Sequence, residues 1–331
     1  MTSVVPPAEP PTSGSRPSLC ATVAAGHSVV LDGGLATLLE RHGHDLTSQL
    51  WSARLLQDDP DAIRRAHREF FAVGAQVATT ASYQASFDGF ARAGIDRAGS
   101  IELMRAGCRV ADLARREHEQ DTGTPAWVAA SVGPYGAALA DGSEYRGDYG
   151  LSVQELRRWH HDRLGVLGET VADGAADVLA VETIPCAAEV EALLREIEGT
   201  GIPVWLSLTA VMGAAGTGTG AGGKPQTRMG EPLAASFRAA ADVAEVIAVG
   251  VNCVDPQDVS DLLAAADGTG LPLVCYPNSG ELWDGAARHW YGSATVDAPA
   301  VHSWTAAGAR LVGGCCRVGP ELIEHIAAAL D

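Results

Sequence analysis

The chain has 331 residues, 47% of them hydrophobic and 19% charged, which supplies enough apolar side chain for a packed core and excludes an intrinsically disordered protein. A net charge of -18 with no visible cluster of Lys and Arg argues against a nucleic-acid partner. No run of roughly 18 apolar residues occurs, nor a basic segment followed by a hydrophobic one at the N-terminus, so neither a membrane span nor a secretory signal is expected and the setting reads as cytoplasmic.

Residues 1–26 are rich in Pro, Ser, Thr and Ala without periodicity and read as a flexible leader outside the fold. Short apolar runs then alternate with amphipathic stretches. The runs are Val29–Asp32, Val77–Ser82, Trp127–Val132, Val178–Glu182, Val204–Thr209, Val246–Asn252, Leu273–Tyr276 and Arg310–Gly313. Helical patterns lie between them at Asp61–Val73, Ser152–Ala172, Ala187–Glu198, Pro256–Ala266 and Pro320–Leu330, several opened by Asp, Ser or Pro in a capping position. Eight βα repeats predict a single (β/α)8 TIM barrel over residues 27–331, a fold that typically takes about 250 residues before extensions. A doubly wound open sheet is the competing architecture. It wants a Gly-rich phosphate turn after its first strand, which Asp32-Gly33-Gly34-Leu35-Ala36 does not provide. The stretch Gly213–Gly223, almost all Gly, Ala and Thr, reads either as a mobile loop on the active face or as a passive insertion.

Catalytic groups of such barrels sit at the C-terminal ends of strands. Here those ends carry Asp32, Ser82 with Tyr83, Glu182 with Thr183, Asn252 with Cys253, Asn278, and Cys315 with Cys316. Seven irregularly spaced cysteines fit a reducing compartment better than a disulfide framework. Cys20, Cys108, Cys186 and Cys275 read as small buried hydrophobes. Cys253, 62 residues before Cys315, sits at a spacing natural for two strand ends of one barrel. Gly313 and Gly314 let the chain turn the sulfurs of Cys315 and Cys316 toward one centre, each reaching a metal at about 2.3 Å. Three thiolates and one open position describe a catalytic zinc; a vicinal disulfide is the alternative. Asp32 and Glu182 face the same mouth, either as general acid and base or as partners of a substrate ammonium, with helix capping the plain alternative for Asp32. The histidines, His42, His44, His160 and His161 among them, show no metal-ligand spacing and read as structural.

Leu31-Asp32-Gly33-Gly34, Gly250-Val251-Asn252-Cys253 and Gly313-Gly314-Cys315-Cys316 resemble, in order and separation, the signature segments of the homocysteine S-methyltransferase family. Thr80-Ala81-Ser82-Tyr83-Gln84-Ala85-Ser86 and Tyr276-Pro277-Asn278-Ser279-Gly280-Glu281-Leu282-Trp283-Asp284 are similar to the branch that uses S-methylmethionine rather than betaine. The resemblance implies a stand-alone zinc enzyme that moves a methyl group from a sulfonium donor, S-methylmethionine or S-adenosylmethionine, to the zinc-bound thiolate of homocysteine, forming methionine. It implies Cys253, Cys315 and Cys316 as the Zn2+ ligands, Asp32 and Glu182 on the amino group of homocysteine, and the N–H groups of Gly33 and Gly34 on its carboxylate. Tyr83, Asn252 and Asn278 are expected to line the substrate site, and Tyr83, Trp283 or Glu281 to attract the sulfonium charge. The expected partners are these two small molecules, with the chain a monomer or small homo-oligomer. Two other readings of the same residues are a zinc hydrolase, disfavoured by an all-thiolate ligand set, and a non-catalytic binder of zinc or thiol compounds.

Overall fold

The structure, a computed structural model, describes residues 16–46, 51–213, 223–284 and 289–330. Its centre is a ring of eight parallel strands: β1 (Val29–Val30), β2 (Val77–Thr79), β3 (Trp127–Val132), β4 (Val178–Ile184), β5 (Val204–Leu208), β6 (Val246–Asn252), β7 (Leu273–Tyr276) and β8 (Ala309–Val312). Each strand pairs with its sequence neighbours, and β8 returns to β1 with Val29 opposite Leu311 and Val30 opposite Val312. The last seam, between β1 and β2, is closed by a parallel bridge of Leu31 with Val77. There the Asp32 N–H donates to the Val77 carbonyl at 3.1 Å and the Gln76 N–H to the Val30 carbonyl at 2.7 Å. The expected (β/α)8 barrel is therefore the fold, and the open doubly wound sheet is set aside.

Strands buried on both faces read as continuous apolar runs, and β3, β4, β5 and β7 are buried throughout. Alternate residues fill the inside of the ring: Val29, Leu31, Trp127, Ala129, Val178, Ala180, Trp205, Val274 and Leu311 belong to one cluster. The intervening residues, such as Val30, Val128 and Leu179, pack outward against the helices. Strand β2 stops three residues short of the expected Ser82, because residues 80–85 turn back through Ser82 N–H to Thr80 O and Ala85 N–H to Ser82 O bonds of 2.8 and 3.0 Å. Ser152 caps its helix through the expected capping box with Glu155. The helix expected over Pro256–Ala266 is shorter, Val259–Leu263 followed by a 3-10 turn at Ala264–Ala266. Asp255 holds the preceding residues in a turn by accepting from Gln257 N–H at 2.9 Å.

The leader requires a correction. Residues 1–15 lie outside the described residues, but Leu19–Ala24 form a helix capped by Ser18, with Leu19 and Val23 only 2% exposed. Those two side chains join the cluster inside the ring. Arg16 bonds the Ala126 carbonyl and the Asp177 carboxylate, and the Trp127 indole N–H donates to the Pro17 carbonyl at 3.0 Å. The helix thus plugs the N-terminal end of the barrel, and six residues are too few to show a helical period in the sequence. Leu19→Ala is expected to cost about 2–5 kcal/mol, the range for truncating a buried leucine, read as a lowered urea midpoint at unchanged slope. An unmoved midpoint would return this segment to the leader.

At the opposite end, Ala210–Met212 pairs antiparallel with Pro225–Thr227. Apart from its end residues, the Gly213–Gly223 stretch lies outside the described residues. Among the described residues no helix is long and apolar enough to cross a membrane.

Candidate active site

The C-terminal mouth of the barrel encloses a cavity of about 270 Å3 whose wall includes Asp32, Glu182, Cys253, Cys315 and Cys316. Cys253 follows β6 in the left-handed region, with φ of +50°, and its N–H donates to the Tyr276 carbonyl at 3.2 Å. On the other side, Gly314 N–H donates to the Asp32 carbonyl at 3.1 Å and Cys315 N–H to the Pro277 carbonyl at 2.8 Å. A Cβ on Gly314 would strike Val318, and one on Gly313 would strike Leu31. Two glycines are needed here because the backbone turns against β1. The result is convergence: the three sulfurs all lie within 4.8 Å of one another, with Cys315 and Cys316 4.0 Å apart. Cys253 and Cys315 stand in disulfide contact across 62 residues, whereas the vicinal pair is not bonded. As thiolates, the same three atoms make a soft donor set that a single divalent ion can bridge.

Asp32 and Glu182 line the same cavity. Asp32 accepts from both the N–H and the hydroxyl of Thr79 at 2.8 Å, and Glu182 accepts from the Ser131 hydroxyl. Burial pushes Asp32 up to about 8, against the pull of the Thr79 bonds, and the nearby Glu182 charge adds to the rise. Burial likewise pushes Glu182 up to about 7, opposed by Ser131 and Tyr276. Among the described residues neither carboxylate forms an ion pair with an Arg or Lys, so burial without a cation favours the neutral carboxyl.

These raised values set a pH dependence. The fold favours the neutral carboxyls over their ordinary state near pH 4, so their contribution to stability is complete below about pH 4 and is lost as pH rises through about 7 to 8. Urea unfolding of the ligand-free protein is expected to show stability falling over this interval, with an ammonium ligand binding more tightly across it. A flat profile would mean that both groups stay ionised without a cation.

Several expected site residues turn out to act at one remove. Asn252 lines the cavity, but its Oδ1 accepts from Thr183 N–H at 2.7 Å and Ser207 Oγ at 2.8 Å, while its Nδ2 donates to Thr183 Oγ1 at 2.7 Å. It fixes the left-handed turn at Thr183, φ +60°, next to Glu182. Asn278 lines not this cavity but an adjoining one, and its Oδ1 accepts from the Cys316 N–H at 3.2 Å. Gly34 cannot offer its N–H to a ligand, because that N–H donates to the Val318 carbonyl at 2.9 Å. The N–H of Gly33 makes no hydrogen bond among the described residues and remains available. Tyr83 lines the cavity, and the buried Arg163 pins its carbonyl at 3.2 Å. Glu281 is held by Arg317 at 3.1 Å, and the side chain of Trp283 lies outside the described residues.

Other residues emerge only from the structure. Ser131 is the one polar residue of β3 and Thr79 the last residue of β2, and each bonds a site carboxylate. His67 is fully buried with Nδ1 4.0 Å from Asp32 and no hydrogen bond on either ring nitrogen among the described residues; burial pulls it down to about 4, so it is neutral. His160 bonds Glu189 at 2.9 Å away from the cavity. Tyr145, in a 3-10 turn well beyond β3, reaches back to the thiols.

The family model of homocysteine S-methyltransferase matches residues 29–330. Homocysteine S-methyltransferase YbgG of Bacillus subtilis is 40% identical over 309 residues, covering 91% of this chain and 93% of its own length. Homocysteine S-methyltransferase 4 of Zea mays is 42% identical over 323 residues, covering 92% and 90%. The metallated form of the homocysteine methyltransferase MmuM from Escherichia coli superposes with a TM-score of 0.80 at 37% identity, over 93% of this chain and 98% of that one. Matched along almost its whole length in this way, the chain belongs to the homocysteine S-methyltransferase family and is a methyltransferase acting on homocysteine.

Proposed function

We propose that the chain transfers a methyl group from a sulfonium donor, S-methylmethionine in the first instance, to homocysteine, with Zn2+ held by Cys253, Cys315 and Cys316. The observation that carries this reading is the presence on one cavity of three convergent thiols and two carboxylates that, among the described residues, have no Arg or Lys ion pair. An amino acid with a thiol at its other end satisfies both sets at once. Asp32 and Glu182 take its ammonium as charge-assisted acceptors, and the Gly33 N–H is the free backbone donor for its carboxylate. Zinc at the three cysteines would supply the Lewis acidity that keeps a thiol ionised at neutral pH, where a free thiol of pKa near 8.5 is mostly protonated.

The reaction needs no further base. The homocysteine sulfur attacks the donor methyl carbon in line, a carbon–sulfur bond forms, and the donor's own bond breaks with its electron pair returning to the sulfonium sulfur. Orientation by the two carboxylates is then a large share of the rate enhancement. Incubating the protein with homocysteine and S-methylmethionine, S-adenosylmethionine or betaine, with product analysis, tests the donor assignment. Methionine from S-methylmethionine supports it, and turnover with betaine alone would overturn it.

A further inference from the structure

A second cavity, about 510 Å3, adjoins the first and shares Tyr145, Cys253 and Cys316 with it. Its size falls in the range of about 300–1,000 Å3 common for small-molecule pockets. Arg228 enters it from the loop after Pro225–Thr227. The Arg228 N–H is fixed to the Pro185 carbonyl at 3.0 Å. Its guanidinium donates through Nε and Nη2 to Thr209 Oγ1 at 3.1 and 2.8 Å, and Thr209 donates to the Cys253 carbonyl at 3.4 Å. The Tyr145 ring lies 5.8 Å from Cζ. Among the described residues no carboxylate forms an ion pair with Arg228, and the acidic group that acts on it is the more distant Asp258. Asp255, exposed and without an ion pair among the described residues, and Glu281 stand on the same cavity. Arg228 is half-buried, and a guanidinium partly withdrawn from water without a carboxylate partner is suited to a ligand anion.

From this arrangement, and resting on the sulfonium-donor reading above, we infer that the second cavity is the donor site and that Arg228 binds the α-carboxylate of an amino-acid donor. The guanidinium fork suits a carboxylate, Asp255 offers a counter-charge to the donor's ammonium, and the shared wall of Cys253 and Cys316 places the sulfonium end beside the acceptor sulfur. S-Methylmethionine and S-adenosylmethionine carry the same head group, so both are recognised by it. Steady-state kinetics with each donor and with the carboxamide of S-methylmethionine test this in wild type, Arg228→Leu and Arg228→Lys. Losing the charge-assisted contact is expected to raise the donor KM about ten- to hundredfold, with kcat and the homocysteine KM little moved. The carboxamide should be poorer than S-methylmethionine by a similar factor in wild type and no poorer in Arg228→Leu, while Lys restores part of the loss. Equal use of carboxamide and acid by wild type would overturn the inference whether or not the variants fold, as would a donor KM within about twofold of wild type in Arg228→Leu. Wild-type protein that accepts no sulfonium donor at all would instead remove the underlying reading.

Discussion

Cys316→Ser is expected to reduce methyl transfer to background and to lower zinc affinity by more than the roughly 10–100-fold that changes behind a metal ligand cost. Serine at neutral pH is far too weak an acid to replace a thiolate. The backbone of Cys316 is held through Asn278, not through its sulfur, so the variant should fold with the loop in place. Wild-type protein should carry one zinc per chain by elemental analysis. A strong chelator should remove both metal and activity but leave the far-ultraviolet circular dichroism intact, because the buried cluster inside the ring is built from apolar strand residues, with Cys315 only packed against it, unlike a zinc finger. Cys20→Ser, at the plugged end of the barrel, should keep both metal and turnover. Full activity in metal-free protein would end the zinc assignment.

The thiol cluster was legible because each of its parts had an independent signal: strand-end position, a glycine pair before Cys315 and Cys316, and a long separation that only a closed barrel joins. The carboxylates were legible as strand ends but not in their electrostatics, which depend on what is absent around them. No pattern in the sequence says that Asp32 and Glu182 lack a cationic neighbour. Roles that rest on backbone hydrogen bonding were the least readable. Gly34 looks like a free donor until the chain returns at Val318 to take its N–H, and nothing in the sequence says that Asn278 also holds the Cys316 N–H. Long-range packing also hid the helix at Leu19–Ala24, whose burial comes from filling the barrel's open end rather than from its own amphipathicity. Tyr145 and Arg228 stand on loops whose course the strand count does not constrain.

Glu182→Gln is expected to have opposite effects on stability and on binding. Glutamine keeps the shape and an acceptor for the Ser131 hydroxyl but removes a buried charge that no cation offsets. Glu182 is pushed up to about 7, so its ionisation costs stability as pH rises through that value. At about pH 8 the substrate-free variant should therefore be at least as stable as wild type, with a flatter pH profile. Homocysteine binding should weaken about ten- to hundredfold, which corresponds to roughly 1.5–3 kcal/mol for one charge-assisted hydrogen bond, at unchanged zinc content. Asp32→Asn should weaken binding in the same direction, because an amide can keep both Thr79 contacts, accepting from its N–H and donating to its Oγ1, but carries no charge. Calorimetric titration with homocysteine, alongside urea unfolding at several pH values, separates the two effects. A Glu182→Gln variant that is destabilised at pH 8 yet binds homocysteine normally would assign this carboxylate to the fold and leave the ammonium to Asp32 alone.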